Sequence, residues 1–138
     1  MSALMLGPGS PSVALNNFQG PYAVGLPGAL GALIAGPMRL NGIHAVNEGD
    51  YPVYLQLFNA ASTGAVVLGV TVPTDIVPIP AADWSGKDIV PGIANYSYGI
   101  NAANFGAGLV LAATRSRKGA DLALMGDVFV SVKATAVG

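Results

Sequence analysis

The sequence predicts an all-β fold: a single β-sandwich or jelly-roll-like domain with an extended N-terminal arm. Short apolar runs follow one another at a spacing of roughly 8–12 residues, with Gly, Pro, Asn and Asp between them, which is typical of sandwiches. The 138 residues include 19 glycines and 10 prolines. No stretch of about 12 residues has an apolar stripe with the 3.6-residue helical period. We therefore expect roughly seven to nine short strands.

The N-terminal segment is unusual because residues 1–38 carry no charged side chain, and Arg39 is the first. Five prolines and seven glycines in this segment exclude one long helix. Residues 1–20 show neither a strand nor a helix period, so we interpret them as the arm and residues 21–138 as the sandwich domain. An uncharged apolar segment dissolves poorly in water, which favours a cover supplied by another protein.

The first half of the domain is predicted to contain four strands, at 22–26, 29–35, 38–46 and 51–59. Pro27 and Pro37 flank the second run, which could also form one helical turn, but its length favours a strand. The fourth run has Val53, Leu55 and Leu57 on one face and polar or aromatic side chains on the other, as expected for a strand.

The second half is predicted to contain five more strands, at 66–72, 75–79, 96–101, 107–114 and 128–134. The connections include two loops and a turn, at 81–92, 115–125 and 101–106. Pro73, Pro78 and Pro80 restrict the first two strands to sheet edges or strand ends. The last strand alternates valines with Phe129, Ser131 and other side chains, which indicates a half-buried strand.

The composition favours a protein that works within an assembly. Charged residues make up 9% of the chain, against about 25% in an average domain, and mean hydropathy is +0.56. Low charge with 52% hydrophobic residues argues against disorder and for surface buried against neighbours. A net charge of −1 argues against binding to nucleic acid or to an anionic membrane surface. The longest apolar run is far shorter than the roughly 20 residues of a membrane span.

No motif for catalysis or for cofactor binding is found. His44 is the only histidine, no Gly-x-Ser-x-Gly motif accompanies it, and we expect it to be an ordinary strand residue. With no cysteine and one histidine, a metal site would need carboxylates, and the acidic residues lack calcium-loop spacing. We therefore expect no enzymatic activity, cofactor or metal; a small hydrolase is the least favoured alternative.

Two features could mediate binding. The basic loop, residues 115–118, contains Arg115, Arg117 and Lys118, three of the six basic residues, and is either a solvated loop or a docking point for an acidic patch. Aromatic and amide side chains could instead form an interface anchor or a glycan platform, at Trp84, Asn95, Tyr96 and Tyr98. Trp84 could equally close the open end of the sandwich.

Five segments read in order resemble a known family: MRLNGIHAVN at 38–47, PVYLQLFNA at 52–60, VPIPA at 77–81, GLVLAAT at 108–114 and GDVFVSV at 126–132. They resemble the small β-sandwich structural proteins, of decoration or cement type, of tailed bacteriophages. The resemblance covers about two thirds of the chain, roughly residues 38–133. It implies a virion component, assembled in the bacterial cytoplasm, whose partner is the major capsid protein, and it implies no catalytic residue.

We therefore expect a non-enzymatic capsid decoration protein that stabilises the phage head as a homo-oligomer, with a trimer favoured. The side chains expected to bind partners lie in the arm, the first strand and the basic loop: Leu4, Leu6, Val13, Leu15, Phe18, Tyr22, Arg115, Arg117 and Lys118. The alternative is a domain of the tail or fibre that binds host-surface glycan through the four platform residues named above.

Overall fold

The computed structural model describes residues 12–15, 22–24, 38–97, 103–124 and 126–136, which form nine strands and one short 3₁₀ helix, Thr63–Ala65. The strands form two antiparallel sheets, which confirms the predicted all-β sandwich. Their bounds are β1 Ser12–Leu15, β2 Tyr22–Val24, β3 Met38–Asn47, β4 Val53–Asn59, β5 Asp75–Ile79, β6 Gly92–Ser97, β7 Ala103–Phe105, β8 Leu109–Thr114 and β9 Val128–Ala136.

The strand order is that of a jelly roll. Sheet I has the order β1-β9-β3-β6, and sheet II has the order β2-β8-β4-β5. The chain can be traced as one long hairpin in which β1 pairs with β9, β2 with β8, β3 with β6 and β4 with β5. Wrapping this hairpin adds the pairs β3–β9 and β4–β8, giving two four-stranded sheets. The additional strand β7 follows β6 along the same edge of β3.

The main core lies between the two sheets. It contains the inward-facing side chains of both, including Ile43, Leu55, Leu111 and Val130, all buried. In β4 and β9 these alternate with side chains on the outer faces, as the sequence pattern predicts. Burial of this apolar surface, at about 25 cal/mol per Å², is the main force that holds the sheets together.

The outer face of sheet II is buried as well. All six residues of β8 are buried, and Phe58 and Val110 pack on this outer face against Val66, in a second apolar cluster. The chain between β4 and β5 therefore folds back over its own sheet. This overturns the predicted strand at 66–72, because the backbone reverses at Gly69, whose φ is +85°, instead of pairing with a neighbour.

Other boundaries differ from those predicted. The strand predicted at 96–101 begins earlier, as β6, because its residues pair with the second half of β3. The predicted turn at 101–106 contains β7, which pairs with residues 38–40 at the start of β3. The strand predicted at 29–35 lies outside the described residues. Four residues of the predicted arm form β1 and pair with β9, and the rest of the arm is also outside the described residues.

Asn47 organises the end of β3. Its buried side-chain Nδ2 donates to the carbonyl oxygens of Tyr51 at 2.7 Å and Pro80 at 3.1 Å, and its Oδ1 accepts from the Gly49 N–H at 2.9 Å. Gly92 lies opposite Asn47 in the ladder, so close to Pro80 that an added Cβ would lie 1.8 Å from the carbonyl oxygen. A side chain is therefore excluded at Gly92 by the packing of the chain.

Candidate functional site

A buried polar pair fixes the basic loop on sheet II. Nε2 of Gln56, on β4, donates to Oγ1 of Thr114 at 2.8 Å and to the carbonyl oxygen of Gly119 at 3.1 Å. The Thr114 hydroxyl also lies 2.7 Å from the carbonyl oxygen of Ser116, to which it can donate. Both side chains are fully buried. The two ends of the segment that carries Arg117 are thus bonded to the sheet beneath.

The arginines of the basic loop lie over tyrosine rings. The guanidinium carbon of Arg115 is 4.2 Å from the ring centroid of Tyr51, and that of Arg117 is 5.9 Å from that of Tyr54, both within cation–π range. Arg115, Arg117 and Lys118 are exposed, and none forms an ion pair with another residue in the described part of the chain. The three side chains thus lie on the surface of the described structure, which agrees with both roles predicted for the loop, a solvated loop or a docking point.

Tyr51 contacts both Arg115 of the basic loop and the chain just before β9. Its hydroxyl donates to Oδ2 of Asp127 at 2.6 Å and accepts the Leu124 N–H at 2.9 Å. Burial, and then the hydrogen bond to Asp127, raise the pKa of Tyr51 above its usual value. Tyr51 also packs against the main core, so it joins the core, Arg115 and the 115–127 connection.

An apolar ridge lies beside the basic loop. The segment that covers sheet II carries Val67, Val70 and Val72, with exposed fractions of 57%, 76% and 78%, and we call these three side chains the valine ridge. The Gly69 backbone lies beside Ala120, because an added Cβ would be 3.6 Å from the Ala120 Cβ. The ridge and the basic loop thus belong to neighbouring segments that both lie over sheet II.

A polar cleft of about 260 Å³ opens on the outer face of sheet I. The residues that matter for its chemistry are contributed by β3, β6 and β9: Gly42, His44, Asn95, Ser97, Ser131 and Lys133. His44 is exposed and lies between Asn95 and Ser131 in the ladder. It is a surface residue of a strand, as expected, and no described acidic residue lines the cleft.

The predicted aromatic platform is only partly assembled. Asn95 and Tyr96 line the polar cleft. The Trp84 indole N–H instead donates to the carbonyl oxygen of Glu48 at 3.0 Å. Glu48 lies four residues after His44, which is the ladder partner of Asn95. At the strand rise of about 3.3 Å per residue, the backbones of His44 and Glu48 are about 13 Å apart. Trp84 is 61% exposed, and Tyr98 lies outside the described residues.

The residues predicted to bind partners in the arm and in the strand predicted at 22–26 are only partly described. Val13 and Leu15 lie in β1 at register positions opposite Val132 and Val130 of β9. Tyr22 lies in β2 opposite Leu111. The remaining three, Leu4, Leu6 and Phe18, lie outside the described residues.

Two important features were not predicted from the sequence. The sequence placed Gln56 only on the polar and aromatic face of the strand predicted at 51–59, yet it is fully buried beneath the basic loop. The one available signal was an amide in the middle of a strand, between Leu55 and Leu57. The valine ridge was assigned to a strand, although the glycine within it and the proline after it are turn signals.

The chain matches no protein-family model, no curated protein and no solved structure. Among the described residues, no group of three or more His, Asp or Glu side chains could hold a metal ion. Nor does the described part of the chain contain a helix long and apolar enough to cross a bilayer. The described residues present two surface features: the valine ridge with the basic loop over sheet II, and the cleft on the outer face of sheet I.

Proposed function

We propose that this chain is a non-enzymatic virion structural protein that decorates the phage head by binding the major capsid protein. The observation that carries the proposal is the exposed valine ridge beside an exposed basic loop, on a chain with only 9% charged residues. Such a surface fits a partner that offers an apolar patch bordered by carboxylates. The jelly-roll order of the strands supports it, since viral capsid domains use this architecture.

The stabilisation comes from buried area repeated over a lattice. Each valine that enters the interface contributes about 25 cal/mol per Å² of apolar surface, before the cost of ordering the partners. The arginines add directional contacts with little reorganisation, because the Gln56–Thr114 pair already holds their loop. Association into a trimer adds avidity, so that a weak contact at each site suffices.

The proposal is tested by binding to heads assembled from the major capsid protein alone. We expect Val70→Asp to weaken binding at least about tenfold, since it places a carboxylate in an apolar contact. Val90→Asp is the matched control, because Val90 is also exposed, at 60%, but lies in the β5–β6 connection. Equal binding by the two variants and the unmodified chain would contradict the proposed docking surface.

The arm is tested separately by deletion. Removing residues 1–20 would also remove β1 and its pairing with β9, so the sharper variant lacks only residues 1–11. We expect this variant to keep the fold, measured by circular dichroism, and to lose occupancy on the heads. Full occupancy would exclude a role for the first eleven residues in docking.

The alternative function is a domain of the phage tail or fibre that binds host-surface glycan. The polar cleft favours it, because Asn95 lies there beside other hydrogen-bonding side chains. Glycan-array binding that is lost in Asn95→Ala and kept in Trp84→Ala would support this alternative. Loss in Trp84→Ala alone would place the sugar outside the cleft.

A further inference from the structure

The cleft on sheet I originates in an irregularity of β3. The register between β3 and β9 shifts between Leu40 and Gly42, which is the mark of a β-bulge. Gly42 lies directly after the bulge and has no side chain to fill the outer face, while Ser97 and Lys133 lie opposite it on the two neighbouring strands. An added Cβ at Gly42 would lie 3.0 Å from the Tyr96 carbonyl oxygen. The bulge and the glycine together create the depression.

Next to this depression, three polar side chains form a row across the sheet. Asn95 and Ser131 are the ladder partners of His44 on its two sides. Directly opposite residues in antiparallel strands have Cβ atoms about 4.5–5.5 Å apart, which suits several contacts to one small molecule. Within the described part of the chain, no hydrogen bond engages these three side chains. The row therefore offers donors and acceptors to a ligand.

The charge of sheet I favours an anion. Apart from Tyr96, the ionisable side chains on its five strands are Arg39, His44 and Lys133, each neutral or positive. Every acidic residue of the chain lies elsewhere: Glu48, Asp50, Asp75, Asp83, Asp88, Asp121 and Asp127. Lys133 lines the cleft and forms no ion pair with another described residue. A carboxylate bound beside Lys133 would meet no repelling charge from the strands of this sheet.

We propose that this cleft binds a sugar residue that carries a carboxylate, such as a uronic or sialic acid. Lys133 pairs with the carboxylate, and Asn95, His44 and Ser131 contact the hydroxyl groups. The 260 Å³ volume is just below the roughly 300–1,000 Å³ of pockets for drug-sized ligands, which fits one sugar ring rather than a chain. The inference rests on the alternative glycan-binding function and is independent of docking on the head.

The test is a titration of the full-length chain, labelled with ¹⁵N, with glucuronate, N-acetylneuraminate, glucose and acetate, followed by amide shifts. We expect at least one of the two acidic sugars to shift the amides of Gly42, His44, Asn95 and Ser131, and glucose and acetate to bind at least about tenfold more weakly. Equal binding of glucose would overturn the charge preference while leaving glycan binding intact. Equal binding of acetate would overturn the role of the sugar ring. No shift with either acidic sugar would overturn the proposal, and no shift with glucose as well would also count against glycan binding at this cleft.

A pair of variants ties binding to the cleft. Lys133→Met keeps the aliphatic stem and removes the charge, and we expect it to weaken binding of the acidic sugar about tenfold or more. Lys87→Met is the matched control, an exposed lysine in the connection before β6. Both positions are exposed, so we expect both variants to fold. Equal loss of binding in the two variants, or no loss in Lys133→Met, would contradict the proposal.

Discussion

Nε2 of Gln56 donates a 2.8 Å hydrogen bond to Oγ1 of Thr114, and this fully buried pair lies directly beneath the basic loop. The pair faces away from the main core, on the outer side of sheet II, where the 115–121 connection covers it. Oε1 of Gln56 is buried without a partner among the described residues. The bonds made by Nε2 must offset that cost, so the loop and the pair depend on each other.

Thr114→Val tests this dependence with little change of shape. We expect the free energy of unfolding to fall by about 1–3 kcal/mol, because Gln56 and the Ser116 carbonyl both lose a buried partner. Hydrogen exchange at residues 116–119 should accelerate. Thr63→Val, at an exposed position, is the control and should stay within about 0.5 kcal/mol of the unmodified chain. Equal effects of the two changes, measured by urea denaturation, would show that the pair does not hold the loop.

Tyr51→Phe removes the hydroxyl that bridges Asp127 and Leu124. We expect a loss of about 1–2 kcal/mol in unfolding free energy at neutral pH. Tyr54→Phe is the matched control, because its ring also lies beneath an arginine, while no hydrogen bond of its hydroxyl to a described residue is found. A loss in Tyr54→Phe as large as that in Tyr51→Phe would contradict the role assigned to the bridge.

The same bridge should give stability a dependence on alkaline pH. The folded-state pKa of Tyr51 is raised above the 10.0 of unfolded tyrosine. Its contribution is therefore fully present below pH 10 and is lost as pH rises through the folded-state value. We expect the difference in unfolding free energy between the unmodified chain and Tyr51→Phe to shrink above pH 10. A difference that stays constant up to pH 12 would rule out this linkage.

Two glycines should respond very differently to the same substitution. Gly92→Ala places a Cβ 1.8 Å from the Pro80 carbonyl oxygen, so β5 and β6 must separate, and we expect a loss of about 3 kcal/mol or more. Gly106→Ala meets nothing within 4 Å and should be nearly neutral. Thermal unfolding of both variants checks the pair, and similar melting temperatures would contradict the packing described here.

The basic loop predicts a dependence of head binding on salt. Exposed charges are screened beyond about 10 Å at 0.1 M ionic strength, so raising salt should weaken binding of the unmodified chain. The double variant Arg117→Gln, Lys118→Gln should bind more weakly at low salt and show a smaller salt dependence. Lys87→Gln serves as the control. The same salt dependence in the double variant would exclude these two residues from the contact.

Strands in which apolar and polar residues alternate regularly could be predicted from the sequence, because burial of one face of a strand gives the apolar residues a period of two. The boundaries of β5 agree with the prediction, and β3, β4, β8 and β9 differ from it by two residues or fewer at each end. The run at 66–72 was assigned wrongly because its valines have the composition of a strand. Only the tertiary structure shows that Val66 is buried against sheet II while Val70 faces solvent.

The candidate sites were harder to predict, because they join residues that are distant in sequence. Asn95 was proposed from its aromatic neighbours, yet its position beside His44 and Ser131 follows from pairings across three strands. Gly42 is one of many glycines, and its role depends on a bulge that no local pattern reveals. The basic loop was recognised from its charge alone, whereas the buried Gln56 beneath it was not.

Sedimentation equilibrium of the full chain at increasing concentration tests most directly whether its apolar surface is covered by other subunits. We expect a trimer or a larger species at micromolar concentration. The Val70→Asp variant should keep this oligomeric state if the valine ridge binds only capsid protein. It should dissociate if the ridge also binds sister subunits. A chain that stays monomeric up to millimolar concentration would contradict the inference that this protein works as a subunit of an assembly.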